Sequence, residues 1–434
     1  MDKMADVLGR AGAWCGQNKY LSAIKNAFQN FMPLTIAGAI GVLWCNVLVN
    51  ESTGLGMFFK PIMALDFLNP AFQAVNFCTI SCITVGITLG IAQEIGVWNM
   101  GAERAGYIPG LVGLAAWLSV TNTSHMVDGA KEAFTGVAGN ELGATGLFTG
   151  MIIGVLSVEL FCFFEKQDAL KIKMPEQVPP GVARAFEVLV PATITLIITA
   201  CIGSACYNLT GLYLNDVIKN GIQGPLGTVG ATIPGVMIIY LVIMLFWLVG
   251  IHGNNMLSAV KEALFTPLAL ENVEKFNKGE KPTNIINMYA LQMWGEFGGS
   301  GVTIGLVIAI MIFGKREDNK AIATLSLVPG LFNINETVTF GIPMVLNPIL
   351  GIPFVFACLV TIIVGYVLTV IGFCPVACLT VPWTTPPIVF GFLACGANVM
   401  GAVTQAILIV VSTVIYVPFL ISYEKYQNKQ AAEA

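Results

Sequence analysis

Val236–Ile251, VMIIYLVIMLFWLVGI, carries no charged side chain and runs straight into His252-Gly-Asn254-Asn255. Two further runs have the same character: Val188–Cys201 (VLVPATITLIITAC) and Ala406–Ile421 (AILIVVSTVIYVPFLI). With their flanks, each approaches the roughly 20 residues that a helix needs to cross a bilayer. The whole chain follows suit: of 434 residues, 56% are hydrophobic and 11% charged, and the mean hydropathy is +0.78. A soluble domain carries about 25% charged residues, because a globule must cover itself with polar groups. Lipid removes that requirement. The composition implies an all-α polytopic membrane protein that moves a solute rather than one that works in water.

Other classes are disfavoured by residue type. There are 11 cysteines, but Cys45, Cys78, Cys82, Cys162, Cys201, Cys358 and Cys395 lie in apolar runs, where cysteine acts as a small hydrophobe. No Cys-x-x-Cys pair occurs and the only histidines are His125 and His252. No metal site, no cofactor and no nucleic-acid partner are expected.

Ten candidate spans follow from the apolar runs, at about 30–49, 72–92, 107–124, 144–164, 185–206, 233–250, 298–314, 320–332, 352–373 and 400–422. Residues 1–29 form a mildly basic amphipathic stretch expected on the membrane surface. Asp2, Lys3, Asp6 and Arg10 precede any apolar run, so no cleavable leader is expected. Basic residues at both ends place both termini in the cytoplasm. Lys315, Arg316 and Lys320 then fall outside by simple parity, against the positive-inside preference. Two re-entrant segments, in 252–297 and 333–350, resolve the conflict. Interrupted backbone survives at membrane depth only where protein or water satisfies it, and transporters place substrate sites there. The expected division is residues 1–206 as scaffold, 207–232 as a surface linker, and 233–434 as transport machinery.

Polar groups inside spans are expensive, so each invites a functional reading. Trp247 leads into His252, Asn254 and Asn255 at the end of an apolar run; the bland alternative is a capped helix end. Phe332-Asn333-Ile-Asn335-Glu336 sets one carboxylate beside two amides, with no Lys or Arg following until Lys425. Such a carboxylate is neutral, paired or ligand-binding, and a proton-coupling role stays open. Val381-Pro-Trp383-Thr-Thr-Pro-Pro387 is an uncharged turn with one ring, suited to a sugar face or to the membrane interface. Gly298-Gly-Ser-Gly301 permits close approach. One carboxylate, one imidazole, amides and tryptophans suit a neutral polyhydroxylated ligand; an anion would call for arginine.

Gly250-Ile-His-Gly, Gly298-Gly-Ser-Gly, Asn333-Ile-Asn-Glu336 with Phe340-Gly-Ile-Pro343 and Leu346-Asn-Pro, and Val381-Pro-Trp-Thr-Thr-Pro-Pro resemble the lactose/cellobiose/diacetylchitobiose group of enzyme IIC components. These are membrane subunits of the bacterial phosphoenolpyruvate-dependent sugar phosphotransferase system. Thr337 departs from the pattern, where the group commonly has proline, and Glu296 is an unexpected acid. The resemblance implies a homodimer in the bacterial inner membrane, with ten spans and two re-entrant hairpins per subunit. The N-terminal half would form the dimer interface and the C-terminal half would carry the sugar. It further implies a disaccharide or β-glucoside, phosphorylated at its 6-hydroxyl by a cysteine of a separate IIB, itself charged by IIA. Glu336 and His252 would hold the reactive hydroxyl, with Glu336 the better proton acceptor. Trp247 and Trp383 would wall the sugar, and Asn255 and Asn335 would add amide contacts. Lys315, Arg316 and Lys320 are candidates to dock IIB. The competing reading is a proton- or sodium-coupled sugar symporter.

Overall fold

The computed structural model describes residues 10, 14, 17–51, 56, 59–125, 134–175, 177–225, 230–342, 344–345 and 347–433. Most of the expected surface stretch before residue 17 lies outside these, as do Pro343 and Leu346 of the quoted motifs. The described chain is mostly helical, with one two-residue antiparallel pairing, Ser124–His125 against Phe134–Thr135. Its main helices are α1 (Lys19–Leu43), α2 (Ile83–Met100), α3 (Ile108–Val120), α4 (Ala144–Glu165), α5 (Pro180–Thr210), α6 (Ile233–Leu248), α7 (Ser258–Asn277), α8 (Met288–Gly295), α9 (Ile304–Phe313), α10 (Glu317–Leu331), α11 (Gly351–Val370) and α12 (Val399–Glu433). Among the described residues, six helical stretches are long and apolar enough to cross a membrane. A seventh appears if Met288–Val302 and Ile304–Phe313, bent by 59°, count as one broken span. α3 and α6 are apolar but shorter.

Two compact units emerge: residues 17–38 with 73–227, and residues 39–72 with 228–434. The stretch 39–72 thus clusters with the later elements of the chain.

In the first unit, small residues let helices meet closely. A Cβ on Gly96 would lie 2.2 Å from Pro109, one on Gly113 2.3 Å from Ala92, and one on Gly150 2.2 Å from Thr88. These contacts draw α2 against α3 and α4, the packing that membrane helices favour where no hydrophobic effect drives them together. Buried Thr84 donates to the Gly143 carbonyl at 2.7 Å, and Thr149 donates to Asn215 Oδ1 at 2.7 Å. α1 begins at Lys19, well before the expected span at 30. The lysine lies 2.6 Å from Glu159 and 3.3 Å from Asn99 Oδ1, so its charge is compensated and the helix runs on without a break.

In the second unit, broken backbone is finished by side-chain amides. Asn272 and Asn287, both fully buried, each donate to the Ala377 carbonyl, at 3.0 and 3.2 Å. Asn287 Oδ1 caps α8 by accepting from the Tyr289 and Ala290 amides. Gln405 Oε1 accepts from the amides of Ile388 and Gly391, both at 2.8 Å, while its Nε2 donates to the Met293 carbonyl at 3.2 Å. The expected re-entrant stretch 252–297 contains α7 and α8, and 333–350 contains the short helix Glu336–Gly341.

Around residue 165, Arg104 and Arg184 converge on Glu165 at 2.8 and 2.9 Å, and both also reach Glu187 at 2.8 Å. Glu165 is buried, while Arg104 keeps about half of its side chain in solvent. Removing one partner of a buried ion group strands the other charges. Glu165→Gln is expected to destabilise the chain by about 3 kcal/mol, the low end for buried pairs because Arg104 stays partly hydrated. Asp168→Ala, which removes an exposed carboxylate beside Lys171, is expected to leave stability close to wild type. Thermal unfolding of both variants in lipid nanodiscs checks this.

Candidate functional site

α6 ends where Gly250 adopts φ +80°. Here the Gly250 and Ile251 amides turn back to the Trp247 and Phe246 carbonyls. The chain then re-enters a short helix, Gly253–Met256, with His252 at its N-cap. No other residue fits at 253, since a Cβ would lie 2.0 Å from the Ile243 carbonyl oxygen. His252 Nδ1 accepts the Asn255 amide at 3.3 Å. That bond fixes the neutral imidazole as the Nε2–H tautomer.

His252 Nε2 points at Glu336 Oε1, 3.8 Å away, and both side chains are partly open to solvent. Glu336 begins the short helix Glu336–Gly341. The structure therefore brings together two candidates separated by 84 residues in the chain (336 − 252). Trp383 lies on the turn 381–388 with 43% of its surface exposed, an available ring face.

The remaining candidates sit differently. Trp247 is only 2% exposed. Its ring packs 4.5 Å from the His252 ring and 6.5 Å from Phe354, so it backs the imidazole instead of lining open space. Asn335 is buried at 4% exposure and donates to the Ser300 carbonyl at 2.8 Å. Asn255 is exposed; its neighbour Asn254 instead donates to Ser300 Oγ at 3.0 Å. The Gly298–Gly301 loop is thus a hub. Gly298, Gly299 and Gly301 all have positive φ, and Tyr416 donates to the Gly301 carbonyl at 2.7 Å. Asn333, a neighbour of lesser interest in the sequence, joins this hub to the Trp383 turn. Its Asn-Ile-Asn spacing was visible; which of the two amides turned inward was not.

Glu296, the unexpected acid, is held by buried Lys261 and accepts from Tyr240 Oη at 2.7 Å. This closed group stands apart from His252 and Glu336 in its bonding. Of the three basic residues after α9, Arg316 pairs with Asp318 and donates to Asn428 at 2.8 Å, Lys320 lies 3.3 Å from Glu317, and the Lys315 side chain is exposed. No cluster of metal-ligating residues occurs among the described residues.

The family described as "Phosphotransferase system, EIIC" matches residues 25–358. The oligo-beta-mannoside-specific EIIC component of Bacillus subtilis (strain 168) is 32% identical over 98% of this chain and 94% of its own. The lactose-specific EIICB component of Staphylococcus aureus (strain COL) is 33% identical, covering 94% of this chain and 69% of its own. Among solved structures, the transporter ChbC, the IIC component from the N,N'-diacetylchitobiose-specific phosphotransferase system, superposes with a TM-score of 0.88 at 29% identity, covering 97% of both chains. The ion-coupled symporter reading finds no support among these relatives. The chain belongs to the phosphotransferase system EIIC family and is a membrane sugar permease component of that system.

Proposed function

We propose that this permease carries a β-linked disaccharide or β-glucoside inward and presents its 6-hydroxyl to a phosphocysteine on a separate IIB protein. The observation that carries this reading is the approach of His252 Nε2 to Glu336 Oε1, with both side chains partly exposed. Support for the sugar class comes from relatives named for oligo-β-mannosides, lactose and diacetylchitobiose. Support for IIB as phosphoryl donor comes from the lactose relative, whose name joins a B component to its C component.

In this reading the hydroxyl oxygen attacks phosphorus, the S–P bond breaks, and the O–P bond forms. The departing proton needs a base within hydrogen-bond reach. Glu336 takes that role. His252 has its Nδ1 lone pair occupied by the Asn255 amide, so its Nε2–H faces the carboxylate and the sugar as a donor. It orients Glu336 and offsets charge that builds up on the transferring group. Trp383 stacks on the sugar, Trp247 backs the imidazole, and Asn255 supplies an outer amide contact. Asn335 acts through the glycine loop. We further propose ten spans with two re-entrant hairpins, termini in the cytoplasm, residues 1–206 as the dimer-interface half, 207–232 as a linker and 233–434 as the transport half. Lys315, Arg316 and Lys320 are contacts for IIB, with Lys315 the most exposed of them.

Vesicles containing the chain are expected to accumulate sugar phosphate only with phosphoenolpyruvate and the soluble components; free sugar accumulated on a proton gradient alone overturns the coupling. Glu336→Gln is expected to weaken sugar binding by roughly ten- to a hundredfold through loss of a charge-assisted hydrogen bond. It should also slow phosphorylation at saturating sugar by about a hundredfold more. Trp383→Ala should weaken binding while the rate at saturation holds, because stacking acts on bound sugar throughout. Equilibrium binding and IIB-dependent phosphorylation, measured in the same membranes, separate the two. Cysteines placed in residues 30–206 are expected to cross-link dimers in native membranes, and single-molecule counting that finds only monomers removes the dimer.

A further inference from the structure

The turn that carries Trp383 has little means of holding itself. Pro382, Pro386 and Pro387 lack amide hydrogens, and within the turn Thr385 donates to the Pro382 carbonyl at 2.9 Å. The carbonyls of Trp383 and Thr385 take their hydrogen bonds from one distant group, the Nδ2 of Asn333. The same carboxamide accepts the Gly298 amide on Oδ1 at 2.6 Å. Asn333 itself stands at φ +62°, a left-handed backbone that asparagine adopts more readily than most side-chain-bearing residues. That conformation turns its side chain away from the direction a right-handed residue would give.

A single amide thus ties three segments that lie 35 and 50 residues apart in the chain. Gln405 secures the far end of the turn through the Ile388 amide. Trp383, by contrast, keeps 43% of its surface exposed. We propose that Asn333 is a positioning residue that clamps the Trp383 turn to the glycine loop and so sets the aromatic wall of the sugar site. The assignment of a sugar to that wall rests on the function proposed above; the clamp itself does not. Because Gln405 keeps its bonds when Asn333 is altered, the effect is confined to one end of the turn.

Two variants isolate the amide. Asn333→Gly keeps the left-handed backbone and removes the side chain. Asn333→Asp keeps an acceptor for the Gly298 amide but sets a carboxylate against two carbonyls. The full chain in nanodiscs is first followed without sugar by hydrogen exchange at Trp383–Thr385, which is expected to quicken about tenfold in Asn333→Gly. Binding per folded molecule is then measured with cellobiose, lactose and N,N'-diacetylchitobiose, keeping the sugar that wild type binds best. Asn333→Gly is expected to weaken binding about tenfold, as two neutral hydrogen bonds would, and Asn333→Asp to weaken it further. The phosphorylation rate at saturating sugar should stay within about threefold of wild type, since the clamp acts on binding. In a Trp383→Ala background, Asn333→Gly should add less than about twofold, because both changes remove the same contact. Unchanged exchange, wild-type binding, or losses that multiply with those of Trp383→Ala overturn the assignment. If wild type binds none of the three sugars while exchange still quickens in Asn333→Gly, the sugar reading fails and the clamp stands.

Discussion

The second unit depends on side-chain carboxamides that complete backbone hydrogen bonds where helices break. In a buried apolar setting no water is at hand for a stranded amide or carbonyl, and each such group left unpaired costs several kcal/mol. A continuous helix solves this by itself but cannot form a pocket. Asn272 and Asn287 solve it at the Ala377 carbonyl, Gln405 at the amides of Ile388 and Gly391, and Asn333 at three segments together. An amide suits this work because it donates and accepts at once without carrying charge. The irregular stretches around His252, Glu336 and Trp383 can exist because these residues pay in hydrogen bonds what the helices withhold.

Charge in the same unit obeys the same rule. Glu296 would be costly alone between its chain neighbours Trp294 and Phe297, both buried. Lys261 from α7 and the Tyr240 hydroxyl from α6 neutralise and solvate it. Such a group holds only if all members are present, since removing one strands the others. His252 and Glu336 differ because both side chains stay partly exposed, as residues must that are to meet a ligand.

Much of the helical layout was legible because it is written locally. Runs such as 144–164, 233–250 and 352–373 coincide closely with Ala144–Glu165, Ile233–Leu248 and Gly351–Val370. The start of α1 was less legible: Lys19 suggested a surface segment, and its partner Glu159 lies 140 residues on (159 − 19). The site shows the same split. Residue types and spacing marked His252, Glu336 and Trp383, and local pattern sufficed because breaks in apolar runs are conspicuous. Burial was not legible. Nothing in the order Trp247-Leu-Val-Gly-Ile-His252 says that the indole lies behind the imidazole, and nothing in Asn333-Ile-Asn335 says that Asn335 turns to Ser300 while Asn333 reaches Trp383. Those facts depend on positive-φ backbone and on partners far along the chain. The clustering of 39–72 with 228–434 is likewise long-range.

The bend of 59° between Met288–Val302 and Ile304–Phe313 has an electrostatic consequence. A helix gathers partial negative charge at its C-terminus and partial positive charge at its N-terminus, about half an elementary charge at each. The break sets the negative end of α8 and the positive end of α9 nine residues apart (304 − 295), on the two sides of the glycine loop. Glu296 sits at the negative end, where a carboxylate is disfavoured, and Lys261 cancels it. At the break the negative end of α8 and the positive end of α9 partly offset one another across the loop.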